Sequence, residues 1–415
     1  MSANPARERQ RLVIIGNGMA SLRLVEQVIA RAAHRFAITI IGAEASPAYN
    51  RVLLSSLLAG DNDVDGVRLR SREWYAAQGI RLVCGAAVQS VDTLAKVAVT
   101  AEGARHAYDQ LVFAIGSQAI RLPVPGADLP GVVVFREAAD VATMTTSIQP
   151  GSPAIVIGGG LLGIEAASGL ARRGAKVTLL HVMDRLMERQ LDERGAAFLL
   201  DALRRRGIRV VLKAHTQALT GSSRVEGALL ADGEKIAADM VVMAVGIRPN
   251  AALAKAAGVA VGRGIIVNDQ MATNLEDIFA VGECAEHRGI VHGLIEPVYA
   301  QADVLASRLC GEAAAFAGLA PATNLKVSGV PVFSAGDITS DGDTTSSAVI
   351  EARANGTYRR LVFSGDRLVG CVLVGDTEDG LWYRDLIRSG AAIAAMRADL
   401  IHGRLFADPP STKVA

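Results

Sequence analysis

Apolar runs that end on glycine predict two strand–turn–helix–strand units of one design. The first unit runs from the strand Leu12–Ile15 through a helix to the strand Ala37–Ile41. Its helix has one apolar face, formed by Leu22, Val25 and Ile29. We expect the two strands to pair in parallel, because a helical crossover brings the chain back in the same direction.

The second unit repeats this order later in the chain. The strand Ala154–Ile157 precedes a helix from Ile164 to Arg173, and Gly174 closes that helix. Val177–Leu180 is the second strand. The repetition predicts two domains with the same α/β topology.

Each unit has a glycine-rich turn between its first strand and its helix. We name Gly16–Ser21 the first loop and Gly158–Gly163 the second loop. Glycine lets the backbone approach a pyrophosphate, and the helix N-terminus supplies N–H donors and a positive dipole end. Two such loops predict two bound dinucleotides with electrons passing between them. The candidate contacts are Gly16, Gly18, Met19, Ala20, Ser21, Gly158, Gly160, Leu161, Leu162 and Gly163.

The residues after the second strands bear on the nucleotide bound. An acidic residue near this place can bind the ribose hydroxyls of an adenosine, and Glu44 stands there in the first unit. An ordinary surface carboxylate is the alternative. The second unit has His181 instead, with Arg185 close enough in sequence to contact the extra phosphate of NADPH. The sequence therefore leaves NADH and NADPH both open.

Further apolar strands also end on glycine. Leu111–Gly116 and Val241–Gly246 are each followed by a proline-bearing crossover, as expected for two chain crossings between a flavin domain and an inserted nicotinamide domain. A third strand ends at Gly282-Glu283, where a carboxylate could hold a ribityl chain while the following helix points its N-terminus at the flavin. The candidate contacts here are Ala114, Gly116, Gly246, Gly282 and Glu283.

After about Pro321 the pattern changes, and no glycine loop recurs. Four segments are strand-like, namely Leu325–Val332, Ala348–Ala352, Tyr358–Phe363 and Leu368–Val374. Ser364-Gly365-Asp366 predicts a hairpin turn, and a helix over roughly Leu381–Arg397 follows. These elements predict a C-terminal α+β domain over 322–415. The preceding boundaries are 1–118 and 245–321 for the two segments of an FAD-binding domain, and 119–244 for an NAD(P)H-binding domain.

Composition and charge exclude several other classes. The 415 residues suggest about three domains, and 43 basic against 42 acidic residues leave a net charge of +1. This balance gives no support for a nucleic-acid or membrane partner. No uninterrupted apolar run reaches about 18 residues, and the N-terminus lacks the apolar stretch of a signal peptide. We expect a cytoplasmic protein.

The four cysteines are far apart in sequence. They are Cys84, Cys284, Cys310 and Cys371, and no C-x-x-C motif occurs. Neither a redox disulfide of that spacing, a zinc ribbon nor a common iron–sulfur site is indicated. Isolated cysteines fit a reducing cytoplasm, and we expect no metal site.

These motifs together resemble the two-dinucleotide-fold flavoprotein disulfide-reductase superfamily. Within it, the chain is most similar to the FAD/NAD(P)H half of bacterial NAD(P)H nitrite reductases and to the flavoprotein electron-transfer subunits of assimilatory nitrate reductases. The resemblance covers almost the whole chain and is most specific at Tyr49–Ser56 and Leu186–Asp192. The other matching segments are Gly16–Ala20, Gly158–Glu165, Gly282–Ala285, and the stretch from Leu325–Val330 to Gly375-Asp376.

The chain departs from the family pattern in three respects. Ser21 replaces the third glycine of the first loop, and His181 replaces the usual acid. The large nitrite reductase subunits continue into iron–sulfur and sirohaem modules, whereas this sequence stops at Ala415. We therefore expect the electron acceptor to be another molecule.

The resemblance implies a fold of the glutathione-reductase type with FAD in the first domain and NAD(P)H in the second. The resemblance also implies that hydride would pass from nicotinamide C4 to flavin N5, with the cofactors supplying the chemistry. Arg51, Ser55 and Ser56 are candidates for catalytic flavin contact, with a serine-capped helix start as the alternative. Glu165 corresponds to a residue near the nicotinamide in relatives, with an ordinary helix glutamate as the alternative.

The main functional hypothesis is an FAD-dependent NAD(P)H oxidoreductase in nitrate assimilation. It takes electrons from NADH, with NADPH left open, and passes them to a nitrate or nitrite reductase, directly or through a small iron–sulfur protein. A rubredoxin or ferredoxin reductase is the second hypothesis. A flavin-binding interaction protein without physiological turnover is the third. The sequence leaves a homodimer open.

Overall fold

The computed structural model describes residues 9–318, 322–325, 329–339 and 345–407. These residues form two compact units. The first unit contains the described residues up to Leu53, Asp63–Gln118, and Ile247 to 318. The second unit contains Leu54–Asn62, Ala119–Gly246 and the described residues beyond. The four domain segments derived from the sequence stay a prediction.

A five-stranded parallel sheet forms the centre of the first unit. Its strands in spatial order are Ile278–Ala280, Gln110–Phe113, Gln10–Ile15, Phe36–Gly42 and Arg81–Cys84. The predicted parallel pairing of the first two chain segments is confirmed, with Leu12 opposite Ile38. Strands so apolar on both faces are typical of a sheet covered on both sides. The helix Met19–Ala32 packs against the long helix Ile295–Cys310.

Smaller elements complete the first unit. Two three-stranded sheets consist of Val88–Asp92, Val97–Thr100 and Arg105–Ala107, and of Ile265–Val267, Ala285–His287 and Ile290–Val291. A two-stranded pair joins Ser117–Ala119 to Ile247–Pro249. The shorter helices are Val64–Val67, Arg72–Ala77 and Ala252–Ala256, with 3₁₀ turns at Ala33–Arg35 and Arg51–Leu53.

The second unit contains another five-stranded parallel sheet. Its spatial order is Arg209–Val211, Lys176–Leu180, Pro153–Ile157, Met240–Met243 and Val132–Val134. The helices in this part of the chain are Leu54–Ala59, Ala138–Ser147, Leu161–Arg172 and Glu193–Arg205. A three-stranded sheet is formed by Thr216–Thr220, Gly227–Leu230 and Lys235–Ala237. The predicted repeat of one topology is confirmed.

The C-terminal part of the second unit is an antiparallel sheet with short helices. Its strand order is Ala322–Leu325, Val332–Gly336, Arg367–Val374, Thr357–Ser364 and Thr345–Ala352. The helices are Gly380–Ser389 and Arg404–Ala407, with 3₁₀ turns at Arg353–Asn355 and Leu400–His402. The predicted α+β character is confirmed.

The predicted hairpin is also present, whereas two element boundaries were wrong. Gly365 turns the chain with φ +55° between antiparallel strands. The predicted helix to Arg397 ends at Ser389, because Gly390 adopts φ +59° in the left-handed region. Within the predicted strand Leu325–Val332, the described residues 329–331 are not in a strand, whereas Leu325 and Val332 belong to two different strands. Residues 326–328 lie outside the described residues.

None of the described helices combines the length and apolar character needed to cross a bilayer. The described residues also contain no cluster of three or more histidine, cysteine, aspartate or glutamate side chains suited to a metal ion.

Candidate functional site

The first loop turns so tightly that only glycine fits at its start. Gly16 has φ +110°, and a Cβ atom there would lie 2.1 Å from the carbonyl oxygen of Ala114. The Gly16 N–H donates to the Ile41 carbonyl at 2.7 Å, and the Ala114 N–H donates to the Ile15 carbonyl at 2.7 Å. The turn is thus fixed between three strands of the sheet.

The next glycine of the first loop borders open space. Gly18 is the N-cap of the helix that starts at Met19, and no side chain caps that helix within the described structure. A Cβ atom on Gly18 would meet none of the described atoms within 4 Å. The first-turn N–H groups, which no side chain caps, and this open cradle fit an anion such as a pyrophosphate.

Ala20 and Ser21 are the last two residues of the first loop. Ser21 is fully buried, and its hydroxyl donates to the Gly18 carbonyl at 2.8 Å. The serine that replaces glycine is therefore accommodated by a bond inside the first turn. Ala20 lies beside Gly282, where a Cβ atom would stand 3.0 Å from the Ala20 Cβ.

Glu44 is held by two neighbours in the first unit. The Tyr49 hydroxyl donates to its carboxylate at 2.6 Å, and the Arg51 guanidinium forms an ion pair with the other oxygen. The guanidinium also stacks over the Tyr49 ring at 5.1 Å. Arg51, which we predicted to contact flavin, thus contacts Glu44. Tyr49 was not among the predicted site residues, although it opens the family-specific Tyr49–Ser56 segment.

Glu283 is positioned by the strand crossing. Its carboxylate accepts a 2.8 Å hydrogen bond from the hydroxyl of Ser117, which directly follows Gly116. Gly116 and Gly282 have φ +61° and +85°, and the Gly282 N–H donates to the Gln301 side chain at 2.9 Å.

The sequence did not predict one element of this segment. A hairpin of Ala285–His287 and Ile290–Val291 lies between Glu283 and the helix that begins at Ile295. The helix therefore does not follow the strand directly. The Gly282 N–H donates to the side chain of Gln301 on that helix, so the two segments are nevertheless in contact.

The second loop repeats the construction of the first. Gly158 has φ +122°, and a Cβ atom there would lie 2.2 Å from the Ala244 carbonyl oxygen. A Cβ atom on Gly163 would lie 1.8 Å from the Gly158 carbonyl oxygen. A Cβ atom on Gly160, by contrast, would meet none of the described atoms within 4 Å. Gly160 is the N-cap of the helix from Leu161, with Leu162 next, so a second open cradle lies at a helix N-terminus, where an anion is favoured.

Glu165 is a buried carboxyl on the helix that follows the second loop. Burial raises its pKa to about 7, while the nearby Ser55 hydroxyl partly opposes that rise. Ser55 is also buried, and its hydroxyl makes no hydrogen bond of good geometry to a described group. The structure therefore brings Ser55 and Glu165 together as two buried polar side chains.

Ser55 and Ser56 lie inside the helix Leu54–Ala59, which packs on the helix of Glu165. A Cβ atom on Gly169 would approach the Leu58 side chain to 2.8 Å, so the two helices are in close contact. Ser56 accepts a 2.7 Å hydrogen bond from the Asn62 amide. Both serines thus lie in the first turn of this helix, after its first residue Leu54, and not at its N-cap.

His181 points beneath the second loop. Its Nδ1 accepts a 3.0 Å hydrogen bond from the Gly159 N–H, and its Nε2 lies 3.1 Å from a Glu188 oxygen. Arg185 pairs with Asp184 at 3.3 Å. Gly246 has φ +125° and is exposed. Glu188 was missed as a single residue, although it lies in the family-specific Leu186–Asp192 segment.

Comparison with known proteins places this geometry in a family. Residues 10–303 match the family model described as pyridine nucleotide-disulphide oxidoreductase. Residues 321–391 match that described as the rubredoxin NAD+ reductase C-terminal domain. The chain is also similar to putidaredoxin reductase in its covalent complex with putidaredoxin, with a TM-score of 0.85, 25% identity, and coverage of 93% of this chain and 95% of that one.

Two relatives come from Bacillus subtilis (strain 168). An NAD(P)H nitrite reductase is 44% identical over 387 residues, which is 93% of this chain and 48% of the relative. An assimilatory nitrate reductase electron transfer subunit is 40% identical over 411 residues, which is 98% of this chain and 53% of the relative. The chain thus spans about half the length of these relatives.

Proposed function

Because the chain belongs to the pyridine nucleotide-disulphide oxidoreductase family, whose members bind FAD and NAD(P)H, we propose that it is an electron-transfer flavoprotein. It oxidises NADH and passes the electrons to a separate acceptor protein that reduces nitrate or nitrite. The observation that carries this proposal is the pair of open pyrophosphate cradles, one at Gly18 and one at Gly160.

The two cradles are assigned to different cofactors. FAD fits the first loop, with Glu44 and Glu283 as carboxylates for its hydroxyl groups and Arg51 fixing the orientation of Glu44. NAD(P)H fits the second loop, with Gly160 and the first-turn N–H groups of Leu161 and Leu162 facing its phosphates. Bound FAD would accept hydride from the nicotinamide and release the electrons singly.

Ser55 and Glu165 are the candidate side chains for the nicotinamide end of the second cradle. Their buried polar groups can donate to or accept from a carboxamide. A Glu165 pKa near 7 lets this group be either donor or acceptor close to neutral pH. Their role is to bind and orient, and no nucleophile is required.

The relatives support nitrate reductase as the electron acceptor. One of them is named as an electron transfer subunit of nitrate reductase and covers nearly this whole chain. A homodimer is compatible with this function but not required by it.

An anaerobic reconstitution tests the proposal. NADH should bleach the flavin absorbance of the holoprotein, and nitrate should restore it only when the assimilatory nitrate reductase of the same organism is present. The Gly160→Ala variant is the matched control, because its added Cβ meets none of the described atoms within 4 Å, so the variant should keep its fold and FAD but fail to be reduced by NADH. Flavin that stays reduced with both partner and nitrate present would refute the acceptor. A yellow protein inert to NADH and NADPH would support a non-catalytic flavin-binding protein instead.

A rubredoxin or ferredoxin reductase is the second candidate. The match of residues 321–391 to a rubredoxin reductase domain and the likeness to putidaredoxin reductase both favour it. Stopped-flow re-oxidation of the reduced protein by rubredoxin, ferredoxin and nitrate reductase would rank the acceptors. Fastest re-oxidation by a small iron protein would select this alternative.

A further inference from the structure

The Gly159 peptide in the second loop is held on both of its sides. Its N–H donates to His181 Nδ1 at 3.0 Å, and its carbonyl accepts from the Met187 N–H at 3.0 Å. Both partners lie on the segment that leaves the strand Lys176–Leu180. Met187 itself has φ +49°, so the chain turns sharply to make this contact.

The His181 ring packs directly under the loop. A Cβ atom on Gly159 would lie 2.5 Å from His181 Cγ and 2.6 Å from Leu186 Cδ2. Only 8% of the His181 side chain is exposed. The absence of a side chain on Gly159 thus creates the space that the imidazole fills.

The hydrogen bonds define one tautomer of the imidazole. Since Nδ1 accepts from a backbone N–H, the proton of the neutral ring is on Nε2. Nε2 then donates to Glu188, whose oxygen lies 3.1 Å away. Both ring nitrogens are therefore engaged inside the protein, which leaves neither for a ribose hydroxyl.

We propose that His181 is a positioning residue for the second loop and that Glu188 fixes its tautomer. This inference rests on the proposed function, because it assigns the second loop to NAD(P)H. His181 removes the Gly159 N–H from the donors that face the ligand and fixes the plane of that peptide. The neighbouring N–H groups of Gly160, Leu161 and Leu162 are then held in the orientation that meets the pyrophosphate. Nucleotide affinity depends on the His181–Gly159 bond, whereas hydride transfer from bound nucleotide does not.

Two substitutions at His181 separate the effect of its hydrogen bond from the effect of its side-chain volume. His181→Phe fills the space but leaves the Gly159 N–H without an acceptor. His181→Asn can place its Oδ1 where Nδ1 stands and so retains that acceptor. Loss of such a buried bond should raise the Kd for NAD+ about tenfold in His181→Phe, measured by calorimetry on the FAD-loaded protein. His181→Asn should stay within about threefold of the native value.

Kinetics distinguish positioning from general damage. In His181→Phe the KM for NADH should rise, while the rate of flavin reduction at saturating NADH should stay within about twofold of native. Glu226→Gln is the control, because Glu226 is an exposed acid in the same unit and should change neither constant. An unchanged Kd in His181→Phe, or a Kd in His181→Asn as poor as in His181→Phe, would overturn the proposal.

Two further measurements test the positioning role of His181 without a bound nucleotide. Nitrogen-15 NMR of the native protein should show the His181 proton on Nε2, and Glu188→Ala should weaken that preference. Hydrogen exchange of the peptide containing Gly159 should be faster in His181→Phe than in His181→Asn. A proton on Nδ1, or equal exchange in the two variants, would refute the positioning role even if NADH reduces the protein. Failure of native protein to bind NAD+ would refute the proposed function instead.

Discussion

The Tyr358 hydroxyl donates a 2.6 Å hydrogen bond to the carboxylate of Asp192. Asp192 is also the N-cap of the helix Glu193–Arg205, and Arg360 approaches the same carboxylate at 3.6 Å. Tyr358 is fully buried on the C-terminal sheet. One carboxylate therefore starts a helix of the second unit and attaches the C-terminal sheet to it.

We expect Tyr358→Phe to destabilise this attachment. The substitution removes a charge-assisted hydrogen bond and should lower the free energy of unfolding by about 2 kcal/mol, measured in urea. Tyr108→Phe is the control, because the Tyr108 hydroxyl is buried and no described group bonds to it. Its removal should be neutral or stabilising. Equal destabilisation by the two variants would show that the Asp192 bond contributes nothing.

Glu165 should make stability depend on pH. The folded chain keeps its proton up to about pH 7, whereas an unfolded glutamic acid loses it above 4.5. The contribution to stability is thus fully present below pH 4.5 and falls as the pH rises to about 7. Glu165→Gln stays neutral, so its melting temperature relative to the native protein should rise between pH 5 and pH 8. The full effect is on the order of 3 kcal/mol, and a pH-independent difference would contradict it.

Substitution by alanine should have different effects at glycines that border open space and at glycines in close contact with backbone. Gly18 and Gly160 have φ of −111° and −82°, which alanine adopts readily, and their Cβ atoms would enter the two cradles. Gly18→Ala should therefore leave the melting temperature of the apoprotein within a few degrees of native but lower FAD affinity at least tenfold. Gly160→Ala should do the same for NADH while FAD stays bound. Gly16→Ala should also destabilise the apoprotein, because it forces a backbone clash. Full FAD occupancy in Gly18→Ala would place the pyrophosphate elsewhere.

Ser21 should contribute to the fold rather than to FAD recognition. Its buried hydroxyl bonds the Gly18 carbonyl, and glycine also favours the helix less. We expect Ser21→Gly to cost about 1 to 2 kcal/mol in unfolding free energy while the FAD content stays native. Ser21→Ala separates the two effects, since it removes the hydroxyl alone. Loss of FAD from a stably folded Ser21→Ala protein would show that the hydroxyl contacts the cofactor.

The sequence predicted the parts of the fold that depend on local pattern. The strand Pro153–Ile157 and the following helix begin within a few residues of their predicted positions, because apolar periodicity and glycine determine them locally. The C-terminal helix was predicted too long, since nothing in the sequence distinguishes the left-handed Gly390 from an interior glycine. The hairpin after Glu283 was missed because its strands are only two or three residues long.

In the candidate site, too, some features follow from the local sequence and others only from the tertiary structure. The sequence alone determined the two glycine loops, because only glycine permits the φ values and close approaches at Gly16 and Gly158. Only the tertiary structure decided what the side chains around the loops do. His181 could have met a ribose, but its ring turns under Gly159 because Glu188 and the loop offer it two bonds there. These hydrogen-bond partners are not adjacent in sequence. Tertiary packing brings them together, so the local sequence pattern does not predict them.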